Sequence, residues 1–235
     1  MKNLILIIFY LFTTFLNAQN SIEGSVVYTI SLNTANKKEI SETKKNEQAI
    51  QIIKKARDVV GFLNFNEIES LFQVDKPMGN DVEKEINLTR IFAGKDNVFY
   101  YSIATKERLL QKDFMGELFL ISKEPIEWKI TQESKQIGDY TCFKAIKKDS
   151  IATNKKTIAW FTPQIPISLG PREFNGLPGL ILDVNYSELR FKATKIEINQ
   201  KNMGKIKKPT KGKKITEAEY KEITSEAGKN IFEKN

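Results

Sequence analysis

Val98-Phe99-Tyr100-Tyr101, Arg108-Leu109-Leu110, Leu118-Phe119-Leu120-Ile121 and Ile126-Glu127-Trp128-Lys129-Ile130 are four apolar runs separated by short polar turns. Runs recurring at about ten residues belong to antiparallel sheets, because a parallel crossover needs a helix between strands. In the last run Ile126, Trp128 and Ile130 are expected to face the core, with Glu127 and Lys129 facing water. Upstream, Val26, Tyr28, Ile30 and Leu32 alternate with smaller or polar residues, and Phe62 to Phe65 and Ser70 to Val74 read as a further pair of strands. Downstream, Ile158-Ala159-Trp160-Phe161 is apolar at every position, which predicts a strand covered on both faces. Gly179 to Asp183 and Leu189 to Ile198 predict a hairpin around Asn185-Tyr186-Ser187-Glu188. Its second arm changes phase between Ala193 and Ile196, so a bulge is expected near Thr194-Lys195.

Two segments carry helical signals. Ala49, Ile52, Ile53, Ala56 and Val60 recur at three and four residues, predicting an amphipathic helix within Asn36 to Val60 that ends at Gly61 and covers the Ile158–Phe161 strand. Thr216-Glu217-Ala218-Glu219 has the form of a capping box, with Ile215 and Tyr220 as its hydrophobic staple and a short helix stopping near Gly228. Lys76 to Lys95 reads as a surface loop. The fold class expected is mainly β with minor α: a single antiparallel, curved sheet or half-barrel, with one packed helix and a short C-terminal helix.

Lys2, the apolar run Leu4 to Phe12 and the small Ala18 before Gln19 describe a secretory signal peptide over residues 1–18. The run is too short for a membrane span, and no Cys follows the cut, so the mature chain is expected to be periplasmic or secreted and not membrane-spanning. A β-rich domain is expected over 19–200, then a lysine-rich linker and capped helix over 201–235. The formal net charge of +8 is local: without Lys2 and the seven lysines between 201 and 214, the rest of the chain has no net charge. Lys205, Lys207, Lys208, Lys211, Lys213 and Lys214 are candidates for contact with an anionic surface; a solvated linker is the plainer reading. Export argues against nucleic acid.

Residues Trp160-Phe161-Thr162-Pro163, Ile165-Pro166-Ile167, Gly170-Pro171 and Phe174-Asn175-Gly176-Leu177-Pro178-Gly179-Leu180-Ile181 resemble the signature of the GLPGLI family of exported bacterial proteins. Gly138-Asp139-Tyr140-Thr141-Cys142-Phe143-Lys144-Ala145 is similar to a strand of that family. The resemblance runs from Trp128 to Ile198 and implies no activity or catalytic residue. The order of strand, helix and strands also looks like the half-barrel of exported lipid carriers such as LolA, an analogy of fold alone.

The chemistry is bounded by what is missing. With no histidine in the chain, Ser-His, Cys-His and HExxH arrangements are impossible. The lone Cys142 forms no intrachain disulfide and reads as a buried strand thiol. No metal, cofactor or enzymatic activity is expected; hydrolysis by carboxylates alone, through Glu173 and Asp183, is the catalytic alternative. Four of the seven prolines, Pro163, Pro166, Pro171 and Pro178, make a stiff connector ending in a Leu177-Pro178-Gly179 turn of type II. Stiffness lowers the ordering cost of binding, so Arg172, Glu173, Phe174, Leu177 and Pro178 are the candidate contact residues. The expected function is a non-catalytic binding module of the cell envelope that takes an apolar small molecule, lipid or extended peptide in a concave sheet. The alternative is an interaction protein docking to an outer-membrane protein through the connector or a sheet edge. Intact mass of the exported protein should correspond to a chain starting near Gln19; a chain retaining Met1 in the exported fraction would remove the leader.

Overall fold

The computed structural model describes residues 22–33, 47–76, 86–151, 156–199 and 206–232, which build one open, curved sheet of twelve strands. β1 (Gly24–Leu32) lies near its middle. On one side follow β2 (Val59–Phe65), β3 (Glu69–Val74), β4 (Val98–Ser102), β5 (Arg108–Phe114) and β6 (Glu117–Ser122). On the other follow β11 (Leu189–Ile198), β10 (Leu180–Tyr186), β9 (Ile158–Thr162), β8 (Tyr140–Lys147) and the edge strand β7 (Trp128–Ile137). These eleven pair antiparallel, and β12 (Lys213–Thr216) adds to β6 in parallel. The described helices are α1 (Glu47–Lys54), α2 (Leu88–Ala93) and α3 (Glu217–Phe232).

The concave face is built by period-two alternation. Val26, Tyr28, Ile30 and Leu32 of β1 point into it, and Phe72 of β3 meets Tyr28, Phe99 and Phe191 edge-on at centroid distances of 6.2, 6.1 and 6.4 Å. Those separations suit aromatic edge-to-face contact. Gly61 lies inside β2 and does not end a helix: a Cβ there would stand 2.5 Å from Phe72 Cζ, so its missing side chain makes room for that ring. The bulge expected in β11 is present. Val27 pairs with Lys195 and Tyr28 with Ala193, leaving Thr194 as the extra residue, its hydroxyl 3.2 Å from the Val27 carbonyl.

Several expectations are corrected. Of the proposed helix over Asn36 to Val60, residues 34–46 lie outside the described residues, α1 stops at Lys54, and Val59-Val60 open β2. β-branched valines beside a glycine pair better in a sheet than they continue a helix. Within Lys76 to Lys95, α2 forms where a loop was expected, capped by Asn87, whose side chain accepts from Thr89 N–H at 3.2 Å. It packs on β1 and β11, with Ala93 in the main core. The second face of β9 is only partly covered: the Lys135 ammonium lies 4.1 Å from the Trp160 ring centroid, and Ile158 and Trp160 stay half-buried. Ile130 faces the concave side opposite Ala145 but is 49% exposed, because β7 is the edge of the sheet among the described residues. Gly228 lies within α3, which runs on to Phe232, past the expected stop.

Residues 206–216 do not hang free. Ile206 packs on Tyr100, Leu109 and Leu120 on the outer face of the sheet, and Pro209 is buried. Gln111 Nε2 donates to the Lys211 carbonyl at 2.8 Å, and β12 then covers the β6 edge. The capping box closes as read, with Thr216 N–H donating to Glu219 at 2.6 Å and Glu219 N–H donating to Thr216 Oγ1 at 3.2 Å.

Opposite the core, Asp183 accepts from Arg190 Nε and Nη2 at 3.0 and 2.8 Å and from Lys135 Nζ at 2.9 Å. Burial pushes its carboxyl up, but the hydrogen bonds and charges of Arg190 and Lys135 outweigh that and hold it below the usual carboxylate range. A depressed folded pKa contributes stability above the unfolded carboxylate range, lost as pH falls through the folded pKa. Asp183→Asn is expected to cost roughly 2–4 kcal/mol at pH 7 in urea melts, somewhat below a fully buried broken pair because Lys135 and Arg190 are 34% and 44% exposed. The deficit should shrink towards pH 2; an unchanged urea midpoint at pH 7 would show the triad to be energetically idle.

Candidate functional site

The connector from Pro163 to Gly179 decides how much of the concave face stays open. Its prolines remove amide donors, and many remaining amides are used locally: Ile167 N–H donates to the Ile165 carbonyl at 2.8 Å and Leu169 N–H to the Ile167 carbonyl at 2.9 Å. It is stitched to β10 where Leu180 N–H and Ile181 N–H donate to the carbonyls of Ile165 and Leu169 at 3.0 and 2.9 Å. The corner at Leu177-Pro178-Gly179 is a three-residue turn, with Gly179 N–H on the Leu177 carbonyl at 2.8 Å, in place of the type II turn expected. Gly179 takes φ +152°, and a Cβ there would stand 2.1 Å from the Thr162 carbonyl oxygen. Only glycine fits.

The connector folds back into the concavity. Ile165, Leu169, Phe174 and Leu177 are buried in the same core as β1, β9 and β10. Phe174 and Leu177, expected at a contact surface, are each 1% exposed: an open curved sheet needs something apolar on its concave face, and these side chains supply it. Phe174 meets Tyr186 edge-on at 5.3 Å. The Arg172 guanidinium is stacked over Phe99 and Tyr186 at 4.9 and 5.0 Å and paired with Glu173 at 3.1 Å, so this pair is also largely spent on internal contacts. Pro178 is exposed. Asn175 ties the connector to the sheet: its Oδ1 accepts from Arg108 Nε at 3.1 Å and its carbonyl from Trp128 Nε1 at 2.9 Å.

Beside the filled concavity an open groove of about 860 Å³ remains at one end of the sheet. Its apolar wall is Ile165, Ile167 and Leu169 of the connector facing Ile22, Ile103 and Ile198. Its rim is polar, formed by Asn66, Glu67, Lys106, Gln164, Ser168 and Asn199. The β4–β5 turn that carries Lys106 is fixed from within, because Arg108 Nη1 donates to the Lys106 carbonyl at 2.9 Å while its Nε holds Asn175. Asn66 Oδ1 is occupied by Ile68 and Glu69 N–H at 2.8 and 2.9 Å, and Gln164 Oε1 by Thr141 N–H at 2.8 Å. The unoccupied ends of these two amides are NH₂ donors. None of the groove residues was singled out as a site from sequence, although Ile165-Pro166-Ile167, apolar residues in a stretch that cannot join a sheet, carried the signal.

Of the candidate lysines, Lys205 lies outside the described residues. Lys208 pairs with Glu107 and lies 5.9 Å from the Tyr100 ring centroid, and Lys213 is 4.0 Å from Glu117. Lys207, Lys211 and Lys214 are exposed. Cys142 is buried, and burial pushes its thiol up to about 11, with Lys135 opposing the shift and Asp183 adding to it. Such a thiol is a poor nucleophile at neutral pH. Asp183 and Glu173 are each held in ion pairs. Among the described residues no set of three or more acidic or cysteine side chains is placed to hold a metal ion. No helix among them is long and apolar enough to cross a membrane.

Residues 147–183, from the end of β8 through the connector into β10, match the profile of a family described as "Protein of unknown function (Porph_ging)". No curated protein matches the chain. Among solved structures, "Structure of PNGF-II in C2 space group" is similar at a TM-score of 0.51 and 15% identity, over 86% of this chain and 32% of that one. "Structure of PNGF-II in P21 space group" gives a TM-score of 0.48 and 16% identity, over 86% and 33%. This chain therefore spans about a third of the length of those proteins. At such identity the first likeness is one of fold alone.

The matched segment contains the corner at Gly179, and Gly179→Ala tests it. The added methyl has no room against backbone, so a loss of about 3 kcal/mol or more is expected by chemical denaturation, or failure to fold at 37 °C. A melting temperature within about 2 °C of the parent would mean that the corner relaxes freely.

Proposed function

We propose that the protein is an exported, non-catalytic binding module of the cell envelope, a member of the GLPGLI family, acting in the periplasm or outside the cell. It binds an apolar ligand or an extended peptide. The groove at the end of the sheet carries this reading: about 860 Å³, apolar along one wall, polar at its rim and bordered by a connector pinned at both ends. Ligand sites of roughly 300–1,000 Å³ with apolar walls and a few polar groups, at the mouth of a curved sheet, are the common form of small-molecule pocket. The stiff wall lowers the ordering cost of binding. The concave face itself is not the site, since the connector fills it.

The absence of histidine and the engagement of Glu173 and Asp183 in ion pairs support the non-catalytic part of the reading. The second reading, docking to an outer-membrane assembly, is favoured by one observation: β7 is a ten-residue edge strand with an open side. The lysines Lys207, Lys211 and Lys214 would then add contacts to an anionic surface, which salt should weaken.

Mass spectrometry of lipids and small molecules extracted from the purified mature protein is expected to find an apolar species. Ile167→Asp, which puts a charge on the groove wall, should remove it while leaving the melting temperature within a few degrees. Empty parent protein that also fails to bind hydrophobic probes such as 1-anilinonaphthalene-8-sulfonate would refute ligand binding.

A further inference from the structure

We propose that the groove takes a single-chain amphiphile with an anionic head, of the long-chain carboxylate class, its alkyl chain along Ile165–Leu169 and its head at Lys106. The inference rests on the groove being the binding site and adds the class of ligand.

The wall decides between chain and peptide. A bound peptide carries an amide and a carbonyl at each residue, and buried ones need partners. Strand addition supplies these from an open edge. Here the connector offers no ladder: Pro163 and Pro166 lack amide hydrogens, Ile167 and Leu169 spend theirs on Ile165 and Ile167, and the carbonyls of Ile165 and Leu169 are taken by Leu180 and Ile181. An alkyl chain makes no such demand and loses nothing against this wall.

The rim decides the head. Lys106 forms no ion pair with a described residue, and the amides of Asn66 and Gln164 have their oxygens occupied, which leaves NH₂ groups. The rim is thus rich in donors and suits a head rich in acceptors; charge-assisted hydrogen bonds to a carboxylate are the stronger kind. Glu67 is an acidic side chain on the same rim; it and Lys106 are both exposed, so solvent and salt screen its repulsion and the Lys106 attraction alike, and the amide donors of Asn66 and Gln164 tip the rim towards an anion.

Calorimetric titration of the mature protein with dodecanoate, tetradecanoate, tetradecanol and tetradecyltrimethylammonium tests both parts. Tetradecanoate should bind on the order of tenfold tighter than dodecanoate, about fourfold for each added methylene. Lys106→Ala should weaken tetradecanoate about fivefold to tenfold and leave tetradecanol within about twofold, while Glu67→Gln should leave or slightly improve carboxylate binding. Equal binding of carboxylate and alcohol, indifference to Lys106→Ala, or preference for the cationic amphiphile would overturn the assignment of the head while the groove stands. A panel of extended apolar peptides binding more tightly than any amphiphile would overturn the choice of chain. If no amphiphile binds the parent protein and Ile167→Asp changes nothing, the groove itself is not the site.

Discussion

A curved sheet of twelve strands cannot leave its concave face to water, and in this protein the chain's own connector between β9 and β10 covers it, together with α2 and the first turns of α3. The contact that makes this possible is the approach of Gly179 to the Thr162 carbonyl, closer than any side chain would allow. It folds the connector back on the strand it has just left, so that Ile165, Leu169, Phe174 and Leu177 enter the same core as the central strands. Tyr28 works to the same end from the other side: its hydroxyl crosses from β1 to donate to the Ile181 carbonyl at 2.7 Å, where the β9–β10 ladder shifts register. Burial raises the Tyr28 phenol far above its ordinary range, so it remains a donor at any physiological pH.

Filling the concavity determines what is left for function. A half-barrel with an empty interior would enclose its ligand, whereas a plugged one offers only its end, where the plug meets the turns. The groove occupies that place. The connector supplies one side of it, Gln164 to Leu169, and the turns after β2, β4 and β11 with Ile22 supply the other, so the segment that packs the core also walls the proposed site. The Arg108 side chain joins the two, holding Asn175 of the connector with one nitrogen and the Lys106 carbonyl with another.

The sheet's edges are treated differently. β6 is closed by β12 and by the strap before it, which also covers Tyr100, Leu109 and Leu120 on the outer face; on the core face Tyr220 meets Phe114 and Phe119 edge-on at 6.0 and 5.8 Å. β7 keeps an open side but carries Lys129, Lys135 and a shift of register between Ile130 and Ser134, devices that discourage unplanned pairing.

Strands were legible because burial of one face writes a period of two into the chain, and β1 and the first half of β11 follow it up to the extra residue at Thr194. The capping box at Thr216 was legible for the same kind of reason, since its partners lie three residues apart. What sequence alone settled is therefore local: a β-rich chain, stiff between Pro163 and Pro178, without imidazole chemistry. Where distant segments meet was decided only in three dimensions. Phe174 and Leu177 have the composition of a contact surface and the position of a core, and nothing in their neighbours' spacing distinguishes the two. α2 is a six-residue helix whose stability comes from packing on β1 and β11, so its own propensity gives a weak signal. The groove joins residues from Ile22 to Asn199, and its shape exists only because the connector turns inward, a consequence of tertiary packing that no local pattern encodes.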